Sequence, residues 1–193
     1  VATKYNVHGY PTILFIDNAG KVESTVVGYS TASGFTERLN LIAAAHSVEK
    51  RLQDRWKSNP NDVETAGKLA AIAALQGKIP EAEGLVTDAE KIDPDNSHDQ
   101  LTLAYNMLGD YYQDKNDLDK AIGYFDKASK TGKATGKVAY ARLSLAQCYM
   151  GQKKNDAALA ELKSGLALPD LADDDKEMLE MFVKPLEKQA GGQ

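Results

Sequence analysis

The sequence predicts a mainly α fold: three successive helical hairpins closed by a capping helix, with a short ββα unit in front. Three observations predict it. Leucines at 69, 108 and 145 head similar patterns of small and bulky residues, 39 and 37 residues apart, which is the signature of a stacked repeat array. A single apolar run, Thr12-Ile13-Leu14-Phe15-Ile16, follows a proline and stops at a turn sequence, Asn18-Ala19-Gly20, as a strand does. The composition, 42% hydrophobic and 26% charged over 193 residues, gives room for one or two domains with a sizeable core.

The front unit reads in order. The apolar run is expected as a buried central strand, with Pro11 at its mouth because proline cannot donate a ladder hydrogen bond. After the turn, Lys21 to Tyr29 form its antiparallel partner. Ser30, Thr31 and Ser33 offer caps for a helix carrying Phe35, Leu39, Ile42 and Ala45 or His46 at helical spacing. Leu41 to Lys57 continue that helix, with Val48, Leu52 and Trp56 at i, i+4, i+8, until Asn59-Pro60. Trp56 is expected to cover the end of the first hairpin. Two strands are marginal alone. The hairpin therefore packs on the helices, pairs with a second copy or stays poorly ordered, and its apolar run favours pairing in a homodimer.

In the best repeat, Tyr105, Leu108, Gly109 and Tyr112 are followed by Ala121, Phe125 and Ala128, with a polar turn at Gln113 to Leu118. Gly109 and Ala121 let two helices approach while the bulky residues fill the space between pairs. A second copy is Leu145, Ala146, Tyr149, Ala158, Leu162 and Gly165, ending at Pro169. A degenerate one is Leu69, Ala70, Ala73, Ala82, Val86, Ala89 and Pro94. Insertions are expected at 93–97 and 131–133. Asp173-Asp174-Asp175 precede a capping helix from Lys176 to about Lys188, with Met178, Phe182 and Leu186 on one face, and the acids favour its dipole. Residues 189–193 are expected to fray.

These patterns resemble tetratricopeptide repeats. The resemblance implies an α-solenoid over 61–193 whose first helices line a concave groove. Asn106, Asp110, Gln113, Tyr140, Leu143, Gln147 and Met150 are the candidate groove residues, suited to an extended peptide or a partner helix. Members that grip a chaperone tail use Lys, Asn and Arg at set groove positions, where this chain has Gly67 and Ala71, so that mode is disfavoured.

Residues 1–45 resemble the C-terminal half of a thioredoxin-like domain, through Tyr5, Val7, Gly9, Pro11, Thr12, the apolar strand, Gly20 and Gly28. The resemblance implies that Pro11 is cis and that Tyr10 presents its backbone to an extended substrate. Residues 46–60 then form a connecting helix. Thioredoxin chemistry needs a Cys-x-x-Cys pair at a helix N-terminus, and the sequence holds one cysteine, Cys148. The reading is a non-catalytic protein-interaction scaffold, a piece of a larger protein. The alternative is the C-terminal part of a thiol-disulfide oxidoreductase whose cysteine pair lies upstream of residue 1.

Charge and motif content narrow the partners further. The net charge is −5, with seven Lys or Arg against five Asp or Glu in residues 1–58 and 16 against 23 in the rest. An acidic helical half argues against nucleic acid. No apolar stretch is long enough to span a bilayer, and no signal-peptide pattern opens the sequence. His8, His46 and His98 fall on different elements, so no zinc site is expected. Asp93, Asp95, Ser97 and Asp99 resemble a calcium loop only faintly, because His98 and Ala104 stand where Gly and a bidentate Glu are needed. No nucleophile has a base beside it, no cofactor is expected, and Cys148 reads as a buried packing residue. The compartment is left open between bacterial cytoplasm and periplasm.

Overall fold

The computed structural model describes residues 3–5, 7 and 11–190. After a 3-10 turn at Thr3–Tyr5, strands β1 (Thr12–Ile16) and β2 (Val22–Val27) form an antiparallel hairpin. Eight α-helices follow among the described residues: α1 (Ala32–Ser58), α2 (Val63–Leu75), α3 (Ile79–Ile92), α4 (Thr102–Asp114), α5 (Leu118–Thr131), α6 (Thr135–Gly151), α7 (Asn155–Leu166) and α8 (Asp173–Ala190). Helices α2–α3, α4–α5 and α6–α7 are the three expected hairpins, and α8 closes the array against α7.

All three hairpins turn in the same way. Gly77, Asn116 and Lys153 each adopt positive φ, at 73°, 60° and 60°. In each turn the next N–H reaches back to the first helix, Lys78 to Ala73, Asp117 to Tyr112 and Lys154 to Tyr149. This left-handed stop satisfies carbonyls that a helix end leaves open. The turn residues are spaced as the leucines at 69, 108 and 145 are, so turn and core repeat in step.

Packing inside the second hairpin rests on Gly109. A Cβ there would lie 2.5 Å from the Phe125 ring, and Phe125 is wholly buried. Leu69, Ile72, Leu101, Leu108, Tyr112, Ala121 and Phe125 belong to one buried cluster with Leu41 and Leu52 of α1. Trp56 packs on that cluster, as expected. Cys148 is buried and free, and burial pushes its thiol up to about 12, which leaves it inert.

The 93–101 loop is built by its own acids. Asp93 accepts hydrogen bonds from the Ser97 hydroxyl and N–H at 2.6 and 2.9 Å. Wholly buried Asn96 accepts from Leu101 N–H and donates to Thr102, both at 2.9 Å. Asp99 accepts from Thr102 and Lys133 N–H and pairs with Lys137 at 3.2 Å, which ties the second hairpin to the third. These carboxylates are engaged with the chain's own donors.

Several expectations shift. β1 is not a buried central strand: Ile13 and Ile16 are 43% and 40% exposed, because β2 is its one strand neighbour among the described residues. The capping helix begins at Asp173, three residues early, and runs through Pro185. Leu39 is 40% exposed. The inward stripe of α1 is instead Gly34, Arg38, Leu41, Ala45, Val48 and Leu52, at alternating spacings of four and three.

Two outcomes follow from this packing. Gly109→Ala should cost about 1–3 kcal/mol by overpacking Phe125, read as a lower urea midpoint with unchanged slope. Hydrogen bonds from Ser97 and His98 hold the Asp93 carboxyl down to about 2, so its contribution is present above the ordinary carboxylate range and lost as pH falls toward 2. Asp93→Asn should therefore lower Tm at pH 7 and show a smaller loss of Tm between pH 5 and pH 3. An unchanged pH profile would contradict this.

Candidate functional site

The concave side of a helical-hairpin array is lined by the first helix of each pair, here α2, α4 and α6. In this chain α1 covers it. At about 1.5 Å per residue its 27 residues reach roughly 40 Å, enough to pass all three hairpins. Its C-terminal half packs on α2 and its N-terminal half meets α6 and α8.

Three contacts fix the N-terminal half. Thr31 caps α1 by accepting from Gly34 N–H at 3.0 Å, and the wholly buried Asp175 of α8 accepts from Ser33 N–H at 2.9 Å. A carboxylate at a helix start also suits the dipole. Gly34 sits against the ring of Tyr140 so closely that a Cβ would overlap it. One turn on, Arg38 Nη2 lies 2.6 Å from Asp110 Oδ2 of α4, and both side chains are about nine-tenths buried.

Asp110 is the hinge of the electrostatics. Burial pushes its carboxyl up, against the opposing pull of Arg38 and the hydrogen bond donated by the Tyr140 hydroxyl. Tyr140 is raised well above the usual phenol range by burial and by Asp110, so it stays a neutral donor. Arg38 also donates to the Thr25 carbonyl of β2 at 3.4 Å, and the hairpin is held again by Gln147, which donates to the Tyr29 carbonyl at 3.0 Å. Tyr29 meets Phe182 of α8 edge to face at 5.6 Å.

The candidate groove residues thus fall into two groups. Asp110 and Tyr140 meet α1 through Arg38 and Gly34, Gln113 and Gln147 line a cleft with Thr25 and Val27 of the hairpin, and Asn106 lies between α4 and α6. Asn106 is 2% exposed and donates to the Lys137 carbonyl at 3.1 Å. Gln113 donates to Gln147 at 3.4 Å. Leu143 and Met150 lie elsewhere, in or against a second cluster with Leu162, Leu179 and Val183, because α8 docks on that side of α6. Gly67 and Ala71 of α2 are buried. Pro11 is exposed. Tyr10, and with it the cis peptide and the backbone offered to a substrate, lies outside the described residues. Sequence reasoning missed Arg38, Gly34 and Asp175, whose partners lie far away along the chain.

Residues 106–173 match the family model of the tetratricopeptide repeat. The match runs from within α4 to the start of α8 and takes in Leu108, Gly109, Tyr112, Ala121, Phe125 and Ala128, while Tyr105 lies one residue before it. The first hairpin, whose bulky site is Ala73, lies outside it. No curated protein matches the chain. No helix among the described residues is long and apolar enough to cross a membrane, and none of their acidic, His or Cys residues cluster as a metal site. With α1 lying over α2, α4 and α6, the surface this helical array leaves open is its ends, its convex side and the edge where α1, the hairpin and α8 meet.

Removing one member of the buried pair strands the other. Asp110→Ala should cost about 3–5 kcal/mol in urea unfolding. Arg38→Met combined with Asp110→Leu should recover most of that loss. A double variant no better than the single would show that the pair does not act as a unit.

Proposed function

We propose that this chain is a non-catalytic protein-interaction scaffold in which the repeat array holds the front ββα unit in one fixed position. The observation that carries the reading is α1 itself. A helix that is the last element of the front unit also serves as the inner lining of the array, so the two halves share one core.

Three features support the scaffold reading over an enzyme. Tetratricopeptide arrays bind protein segments by surface complementarity. The one thiol is buried, with its pKa raised, and no dithiol exists in the sequence. The Arg38 and Asp110 side chains are about nine-tenths buried, and their charges are engaged with each other and with the Tyr140 hydroxyl. We read the front unit as similar to the C-terminal half of a thioredoxin-like domain in a larger protein, with Pro11 before β1 as its mark. On that reading a redox function belongs to residues upstream. Exposure of Ile13 and Ile16 favours a second possibility, pairing of β1 with another strand, including that of a second copy.

A panel of photoreactive side chains tests the scaffold. Placed one at a time at Leu39, Ile92, Lys153 and Met181, all exposed, they should give defined protein adducts from at least one position. Absence of adducts from every position, with the chain folded by circular dichroism, overturns the reading. So would acceleration of insulin reduction by dithiothreitol, which the chain is expected not to produce.

A further inference from the structure

Part of the exposed apolar surface is gathered in one place. Of the seven large hydrophobic side chains that stand exposed among the described residues, Ile13, Tyr29 and Met181 line a single cleft, at 43%, 50% and 45% exposure. The cleft holds about 540 Å³ between the hairpin and the start of α1 on one side and α8 on the other, inside the range of about 300–1,000 Å³ usual for ligand sites. Val26, Phe35 and Met178 form its apolar floor.

Two features of the wall choose the occupant. Methionines 178 and 181 give a soft, adaptable surface that accommodates apolar side chains of varied shape. Asp174 and Glu177, one helical turn apart, are the charged residues on the lining. Both are exposed, and neither forms an ion pair among the described residues. An apolar slot with a carboxylate rim and no cation suits an apolar segment flanked by Lys or Arg, since rim charges of opposite sign steer and select a partner. It disfavours an anionic lipid surface, which the same carboxylates repel. A small polar metabolite finds no converging donors on the floor.

We propose that this cleft is a docking site for a peptide segment of a partner protein, with one or two apolar anchors next to a basic residue. The proposal rests on the scaffold reading and adds its place and chemistry. Because the concave face is filled by α1, the recognition surface has moved to the seam between the front unit and the capping helix.

Fluorescence anisotropy on the full chain tests it with two labelled ten-residue peptides that share a Leu-Phe-Leu centre and carry Lys or Glu at both flanks. The Lys-flanked peptide should bind at least about tenfold tighter than the Glu-flanked one. Asp174→Lys with Glu177→Lys should invert that preference, and Met181→Ser should weaken the Lys-flanked peptide without altering the melting temperature. All three positions are exposed, and because Asp174 stands in the first turn of α8, where an acid suits the dipole, retained folding of the Lys variant is checked by circular dichroism. Equal binding of the two peptides, or no saturable binding of either, overturns the proposal. So does a concentration-dependent dimer of the chain alone that Met181→Ser abolishes, which would make the cleft a self-interface, or capture by phosphatidylserine vesicles in place of peptide. Photoadducts from the other panel positions but none from Met181 would keep the scaffold and remove the cleft.

Discussion

The contact of Arg38 with Asp110 sets the arrangement of everything around it. A guanidinium and a carboxylate that are both about nine-tenths buried cannot tolerate being out of register, since either charge alone in that place is far costlier than the pair is favourable. Tyr140 adds a neutral donor to the same carboxylate, and Gly34 gives the helix the clearance to come down on the Tyr140 ring. Arg38 Nε and Asn106 Oδ1 find no protein partner nearby. The cluster is therefore better understood as a device that selects one seating of α1 than as a large source of stability. A purely apolar stripe could slide by a turn; this one cannot.

That seating changes what a helical-repeat array does. An open concave face is a place for a ligand, and here the ligand is the chain's own first helix, 27 residues long. Asp175 fixes one end of it from α8, while Leu41 and Leu52 join the other to the core of the first hairpins. The β-hairpin is carried along, held through the Thr25 and Tyr29 carbonyls. Three of the exposed apolar side chains, Ile13, Tyr29 and Met181, then meet where this borrowed lining ends, beside the capping helix.

Steric periodicity was legible in the sequence and long-range charge pairing was not. The three hairpins could be read because Gly109 against Phe125 and the leucines at 69, 108 and 145 solve a local packing problem that repeats with the chain. Of the matching left-handed turns at Gly77, Asn116 and Lys153, the sequence showed only a polar turn around Asn116, and at Lys153 the residue type gives no hint of positive φ. The stripe of α1 was misread by one residue at its start, since Phe35 and Leu39 look inward and Arg38 looks outward by composition. Only a carboxylate 72 residues away reverses that assignment. Likewise, Asp173-Asp174-Asp175 read as dipole partners of their own helix, while nothing in the sequence around Ser33 gave a sign that Asp175 would cap α1 from 142 residues away. Among the groove residues, Asp110 and Tyr140 meet α1 while Leu143 and Met150 meet the α8 side, and nothing local says that a helix from the front of the chain will arrive there.

The measurement that bears most directly on this account is the pattern of nuclear Overhauser effects in solution between Gly34 and the Tyr140 ring. With α1 lodged on the concave face, the Gly34 α-protons lie against that ring and should show strong cross-peaks to it, together with ring-current shifts. If those cross-peaks are missing while the Gly109 to Phe125 contacts inside the second hairpin are present, the array folds with its concave side open and the account fails.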